Sequence, residues 1–116
     1  MQGRQVEIYG DGNYVRDYIY IDDLSECFFQ CSVQKISSGI YNVGTGKGIS
    51  IFEICSLIEK VIGERIHYQQ YPIGKGQVMN NILDCSKIKQ EIGWKSHTNM
   101  ENGIRKMVSD MKVKYE

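Results

Sequence analysis

The stretch Val15-Arg-Asp-Tyr-Ile-Tyr-Ile-Asp-Asp-Leu24 constrains the fold more than any other part of the chain. Tyr18 to Ile21 is a β-branched and aromatic run of strand character, and Asp22 and Asp23 are acceptors suited to capping a helix that follows. The run predicts a strand that turns at once into a helix. Arg16 stands at the strand entrance, where its guanidinium fork is placed to meet a phosphate or a carboxylate. The blander alternative is a surface arginine paired to Asp17 or Asp22, and spacing alone leaves both open.

The rest of the chain supplies the partners. Val6 and Ile8 alternate with Glu7 and Tyr9, and Gly10-Asp-Gly-Asn13 then accepts positive φ, which predicts a strand at Gln5–Tyr9 and a tight return alongside Tyr18–Ile21. Leu24, Cys27, Phe28 and Cys31 recur at helical spacing, with Asp23 and Glu26 placed as a capping box. That helix ends near Lys35–Gly39. A short strand is expected over Gly39–Gly44, followed by the glycine-rich break Gly44-Thr-Gly-Lys-Gly48. Ser50 and Glu53 form a second capping box before the apolar face of Ile51, Ile54, Cys55, Ile58 and Ile62, which stops at Gly63. Arg65–Tyr71 reads as a strand ended by Pro72, and Asn80–Leu83 as a short extended piece. A short helix spans about Cys85–Ile92. Thr98 with Glu101 caps a last helix striped by Met100, Ile104, Met107, Val108 and Met111, a stripe that reads as core rather than as a partner groove.

The expected fold class is therefore α/β, with short strands and about four helices, in a single domain over residues 1–116. The 14 basic and 14 acidic side chains cancel, so no general field grips nucleic acid or an anionic membrane, and any anion site must be local. No apolar run approaches a membrane span and the N-terminus lacks a signal-peptide core, which points to a cytoplasmic chain. The cysteines at 27, 31, 55 and 85 form no Cys-x-x-Cys pair and lack partnering histidines, so packing thiols are expected and a metal site is not.

Three further features invite chemistry. The Gly44–Gly48 loop lies between a strand and a helix and could cradle phosphate, but it matches neither a dinucleotide fingerprint nor a P-loop; the alternative is that its glycines only let the chain turn. Lys75, between Gly74 and Gly76, is a mobile cation. Tyr9 offers a ring face for stacking, or half-buried packing. No Tyr-x-x-x-Lys pair, nucleophile elbow or His-carboxylate arrangement occurs in a plausible helix or strand setting, so no catalytic residue is assigned.

Glu7-Ile-Tyr-Gly-Asp-Gly12, Val15 to Leu24, Ile40-Tyr-Asn-Val-Gly-Thr-Gly46, and Leu83-Asp-Cys-Ser-Lys87 with Ile92-Gly-Trp94 together resemble the C-terminal part of the extended short-chain dehydrogenase/reductase family that includes UDP-glucose 4-epimerase and dTDP-glucose 4,6-dehydratase. The similarity runs through essentially the whole chain. It implies an NAD-dependent nucleotide-sugar epimerase or dehydratase, with NAD binding and catalysis in an N-terminal Rossmann domain whose motifs do not occur here. The chain is thus expected to be a fragment, isolated domain or truncated product that binds a nucleotide-diphosphate sugar but neither NAD nor turnover is expected of it alone. A non-catalytic module completed by a partner chain is the alternative. Apolar surface left by the missing domain would favour self-association.

The resemblance also implies residue roles. Glu7 through its backbone and Tyr9 through its ring would border the base, Arg16 would contact the diphosphate, and Asn42 would lie near the phosphates. After Pro72, relatives carry an arginine for the diphosphate and an aspartate for the ribose, where this chain has Gly74 and Gln77. Loss of that arginine removes a contact worth roughly 1.5–3 kcal/mol, which Lys75 would restore only in part, while Gln77 keeps a neutral hydrogen bond to ribose.

Overall fold

The computed structural model describes residues 5–115, and the element order is β1 (Val6–Tyr9), β2 (Val15–Arg16), α1 (Ile21–Gln34), β3 (Ile49–Ser50), α2 (Ile51–Ile62), β4 (Tyr68–Tyr71), β5 (Asn80–Asn81), α3 (Ser86–Ile92) and α4 (Met100–Tyr115). The α/β class with four helices and short strands stands. The strands form two small sheets. β1 pairs in parallel with β4, and β2 lies between β3, antiparallel, and β5, parallel.

The expected hairpin between β1 and Tyr18–Ile21 does not form. β1 finds β4 instead, with Val6 opposite Tyr68 and Tyr9 opposite Tyr71. The ladder of β2 stops after the Asp17 N–H donates to the Asn81 carbonyl, and α1 begins at Ile21, inside the expected strand. Tertiary packing overrides β-propensity here. Tyr20 lies against α4 at Gly103, where an added Cβ would come within 3.2 Å of its ring.

Two of the expected capping boxes are also replaced. Tyr20 is the N-cap of α1 and makes no side-chain cap bond. The Asp23 carboxylate instead reaches across to the start of α4, accepting from the Thr98 hydroxyl (2.7 Å) and from the N–H groups of Thr98 (2.8 Å) and His97 (3.0 Å). Thr98 is thereby occupied, and Asn99 caps α4 by accepting from the Asn102 N–H at 2.8 Å. The Ser50–Glu53 capping box of α2 forms as expected, and Gly63 closes that helix at φ 77°. Glu101 turns outward to Lys60 of α2 and to Arg105.

The core is small. Cys27, Ile88 and Trp94 are its centre, with Ile19, Cys31, Tyr41, Val43, Cys85 and Ile92 packed around them. All four cysteines are free thiols, and burial together with the neighbouring Cys31 pushes the Cys27 thiol up to about 11, so it is a packing group. Ile104 and Val108 of the last helix's stripe are buried, whereas Met107 and Met111 are half exposed.

Residues 40–43 form no strand, although Tyr41 and Val43 pack inward while Ile40 and Asn42 face out. The alternation of a strand is present and a neighbouring strand is not. Among the described residues their backbone enters no ladder. No helix of the described residues is long and apolar enough to cross a membrane.

Candidate functional site

A contiguous polar and aromatic surface forms where β1, β2 and β4 end. The Tyr9 and Tyr71 rings stack at 5.5 Å between centroids, because the parallel register puts the two residues opposite each other. The Gly10 N–H donates to the Tyr71 carbonyl at 2.8 Å, and Gly10 abuts Tyr14 and Ile73 so closely that a Cβ there would lie 2.7 Å from the Tyr14 ring. Arg16 in turn lies with its guanidinium carbon 5.8 Å from the Tyr14 ring centroid. One path thus joins the Tyr71–Tyr9 platform through Gly10 and Tyr14 to the arginine.

Arg16 makes no ion pair among the described residues. Its Nη1 donates to the Val15 carbonyl (2.8 Å) and the Met79 carbonyl (3.3 Å), contacts that fix the fork without neutralising it. Neither Asp17 nor Asp22 takes it, so the alternative of a surface pair is not realised. Asp17 is otherwise engaged. Its carboxylate accepts from the Thr45 hydroxyl (2.6 Å) and the N–H groups of Thr45 (2.8 Å), Gly46 (2.8 Å) and Leu83 (3.3 Å). Burial acts to raise the Asp17 carboxyl, but those donors outweigh it and hold it below the usual carboxylate range.

Tyr9 is 59% exposed, and its hydroxyl donates to Glu7 at 3.1 Å, which together with that carboxylate's charge pushes the phenol up. Glu7 lies in the β1–β4 ladder opposite Gln69. Lys75 and Gln77 lie on the exposed loop 72–79, which leaves the Tyr71 ring at one end and meets Arg16 through Met79 at the other. Asn42 is placed differently: its amide donates to the Asp84 carbonyl at 3.2 Å, and no hydrogen bond or ring contact joins it to Tyr9, Tyr14 or Arg16. Sequence reasoning missed Tyr71 and Tyr14. The parallel register that brings Tyr71 to Tyr9 has no local signature, although Tyr71 before the sole proline was open to view.

The Gly44–Gly48 loop does not fit a dinucleotide phosphate. The N–H groups of Thr45 and Gly46, which would face a phosphate, are taken by Asp17, and a Cβ at Gly44 would lie 2.9 Å from that carboxylate. Its glycines serve close approach. No cluster of three or more metal-ligating side chains occurs among the described residues. A cavity of about 760 Å³ lies between this loop and Trp94–Met100, and none of Glu7, Tyr9, Arg16, Asn42, Lys75 or Gln77 lines it. The Tyr9–Arg16 surface is the better candidate for a nucleotide despite its shallowness, since it unites an exposed ring face with an un-neutralised guanidinium.

Comparisons with known proteins agree on one family. Over 107 residues the chain is 33% identical to UDP-glucose 4-epimerase of Bifidobacterium longum, covering 85% of this chain and 32% of that protein. It is 29% identical over 116 residues to dTDP-glucose 4,6-dehydratase of Escherichia coli, covering 93% of this chain and 32% of that one. Among solved structures, UDP-glucose 4-epimerase of Thermotoga maritima with UDP-glucose superposes with a TM-score of 0.85 at 31% identity, over 99% of this chain and 37% of that chain. The chain thus spans about a third of the length of these relatives. Residues 1–107 match the GDP-mannose 4,6 dehydratase family. The chain belongs to that family, and it corresponds to the C-terminal portion of an extended short-chain dehydrogenase/reductase of the nucleotide-sugar epimerase and dehydratase kind.

Proposed function

We propose that residues 1–116 act as one substrate-binding unit that holds the nucleotide end of a nucleotide-diphosphate sugar for an NAD-dependent epimerase or dehydratase. The observation that carries this reading is the connected surface running from the Tyr9–Tyr71 platform to Arg16. A base stacks on the exposed tyrosine ring, and the diphosphate reaches the guanidinium. Glu7 borders the base, while Lys75 and Gln77, on the loop strung between platform and arginine, reach the phosphate and the ribose. Asn42 acts near the phosphates only if it leaves Asp84. NAD, held by residues outside this chain, would accept and return the hydride. The chain alone is inactive on this account.

Completion by a Rossmann-type domain, whether from the same polypeptide or a second chain, is favoured by residues 40–43. They carry a strand's alternation and pair with no strand among the described residues, and α1 leaves Ile21, Phe28, Phe29 and Val33 exposed. A sheet edge with an apolar face would satisfy both.

Backbone and ring-proton NMR of the labelled chain during titration with UDP-glucose tests the binding reading. Shifts concentrated at Tyr9, Tyr14, Arg16 and Tyr71 are expected. Saturable shifts confined to other surfaces would contradict it.

A further inference from the structure

The 760 Å³ cavity away from the nucleotide surface has a chemistry of its own. Its walls come mainly from three places, the Gly44–Gly48 loop, the stretch Leu83–Lys89 running into α3, and Trp94–Met100, with Ile49 and Glu53 at the start of α2 beside the loop. Each wall contributes one lysine, Lys47, Lys89 and Lys95 respectively, and none of the three pairs with a carboxylate among the described residues. The two carboxylates on the walls are already engaged. Glu53 accepts from the N–H and hydroxyl of Ser50, and Asp84 accepts from the N–H and hydroxyl of Ser86. Three uncompensated ammonium groups thus face one space bounded by two carboxylates with prior partners.

Two more features mark the cavity. The first turn of the 16-residue helix α4, at Asn99 and Met100, lies on its wall and presents the positive end of the helix dipole. Trp94, also on the wall, is 2% exposed, and its indole N–H is the one buried side-chain polar group without a partner among the described residues. A buried donor without an acceptor is unusual, and it sits beside a space of ligand size. The loop wall is firm, because Asp17 holds Thr45 and Gly46.

We infer that this cavity is a second ligand site, separate from the nucleotide surface, that takes the phosphate group of a small polar phosphate ester. Lysine ammonium groups act as point charges, which suits a phosphate that accepts from several directions better than a planar carboxylate. The hydroxyl of Ser96 and the Asn99 amide supply neutral contacts to the remainder of such a ligand. The N–H groups of Thr45 and Gly46 are not available to it, so the lysines carry the recognition.

Trp94 is the only tryptophan in the chain, so its emission reports this cavity selectively. The test is titration of the full chain with glucose 1-phosphate, followed by Trp94 fluorescence and by heat, with glucose as the uncharged control. Saturable binding is expected, weakened about tenfold or more in the Lys89→Ala/Lys95→Ala double variant and unchanged in Arg16→Ala. Both lysines are exposed, so the double variant should fold. No saturable signal in either readout, an equal response to glucose, or an unchanged midpoint in the lysine variant would overturn the inference. Loss of binding in Arg16→Ala would do so as well, by moving the phosphate to the nucleotide surface.

Discussion

Asp17 and Asp23 are each a single carboxylate that fastens two distant parts of the chain. Asp17 ties β2 to the 44–46 loop and to Leu83, and Asp23 ties α1 to the start of α4. Burial acts to raise the Asp23 carboxyl as well, but the Thr98 hydroxyl and the N–H groups of Thr98 and His97 outweigh it and lower the pKa. Carboxyls depressed in the folded state contribute stability that is present above the ordinary value of about 3.9 and lost as pH falls through the lower folded value. Stability against urea should therefore fall off below about pH 4. Asp23→Asn removes the charge and sets an amide NH2 where Oδ1 accepts from the Thr98 hydroxyl, and should cost roughly 1–3 kcal/mol at neutral pH, with a shallower acid decline than the parent; an unchanged urea midpoint would show that the carboxylate is not the fastening. Gly74 gives the opposite experiment. A side chain there meets nothing within 4 Å, so Gly74→Arg restores the missing guanidinium without strain. It should tighten nucleoside diphosphate binding about tenfold to hundredfold, the equivalent of a charge-assisted contact, as read by calorimetry.

At the scale of elements, the legible parts were those whose signals are local. Ser50 and Glu53 cap α2 as their spacing foretells, and Ser50→Ala should cost about 1 kcal/mol in thermal or urea unfolding. The glycine stop at Gly63 was equally plain. The misplaced elements depend on partners that no short window contains. Asp23 and Thr98 each look like an N-cap, yet they satisfy one another across 75 residues, which leaves Tyr20 and Asn99 to start the helices. Tyr18–Ile21 has strand composition, but Tyr20 packs on Gly103 and the helix takes Ile21. Residues 40–43 have strand alternation and no strand beside them. Of the site, Tyr9 and Arg16 were legible as residue types with a matching motif. Tyr71 and Tyr14 were not, because the β1–β4 register and the Gly10 contact that place them are nonlocal.

The whole molecule is open and flat. Its radius of gyration is 16.7 Å and its extents are 46 × 40 × 18 Å, whereas a compact chain of this length has a radius near 13 Å. The thin dimension leaves little room for a core, and large apolar side chains such as Phe28, Phe29 and Ile40 stay in contact with water. On the proposed reading, these uncovered side chains are where a completing domain would pack. Alone in solution the chain should self-associate, its sedimentation coefficient rising with concentration; Phe28→Ser/Phe29→Ser should restore a monomer. A wild-type monomer at all concentrations would show that these side chains need no cover. The central claim concerns the Tyr9–Arg16 surface, and calorimetric titration of the purified chain with UDP, dTDP, GDP and CDP, repeated with Arg16→Ala, tests it most directly. Saturable binding of at least one of the four, weakened about tenfold to hundredfold by Arg16→Ala, is the predicted result. No binding of any of them to a folded sample, or binding that is indifferent to Arg16, would contradict it.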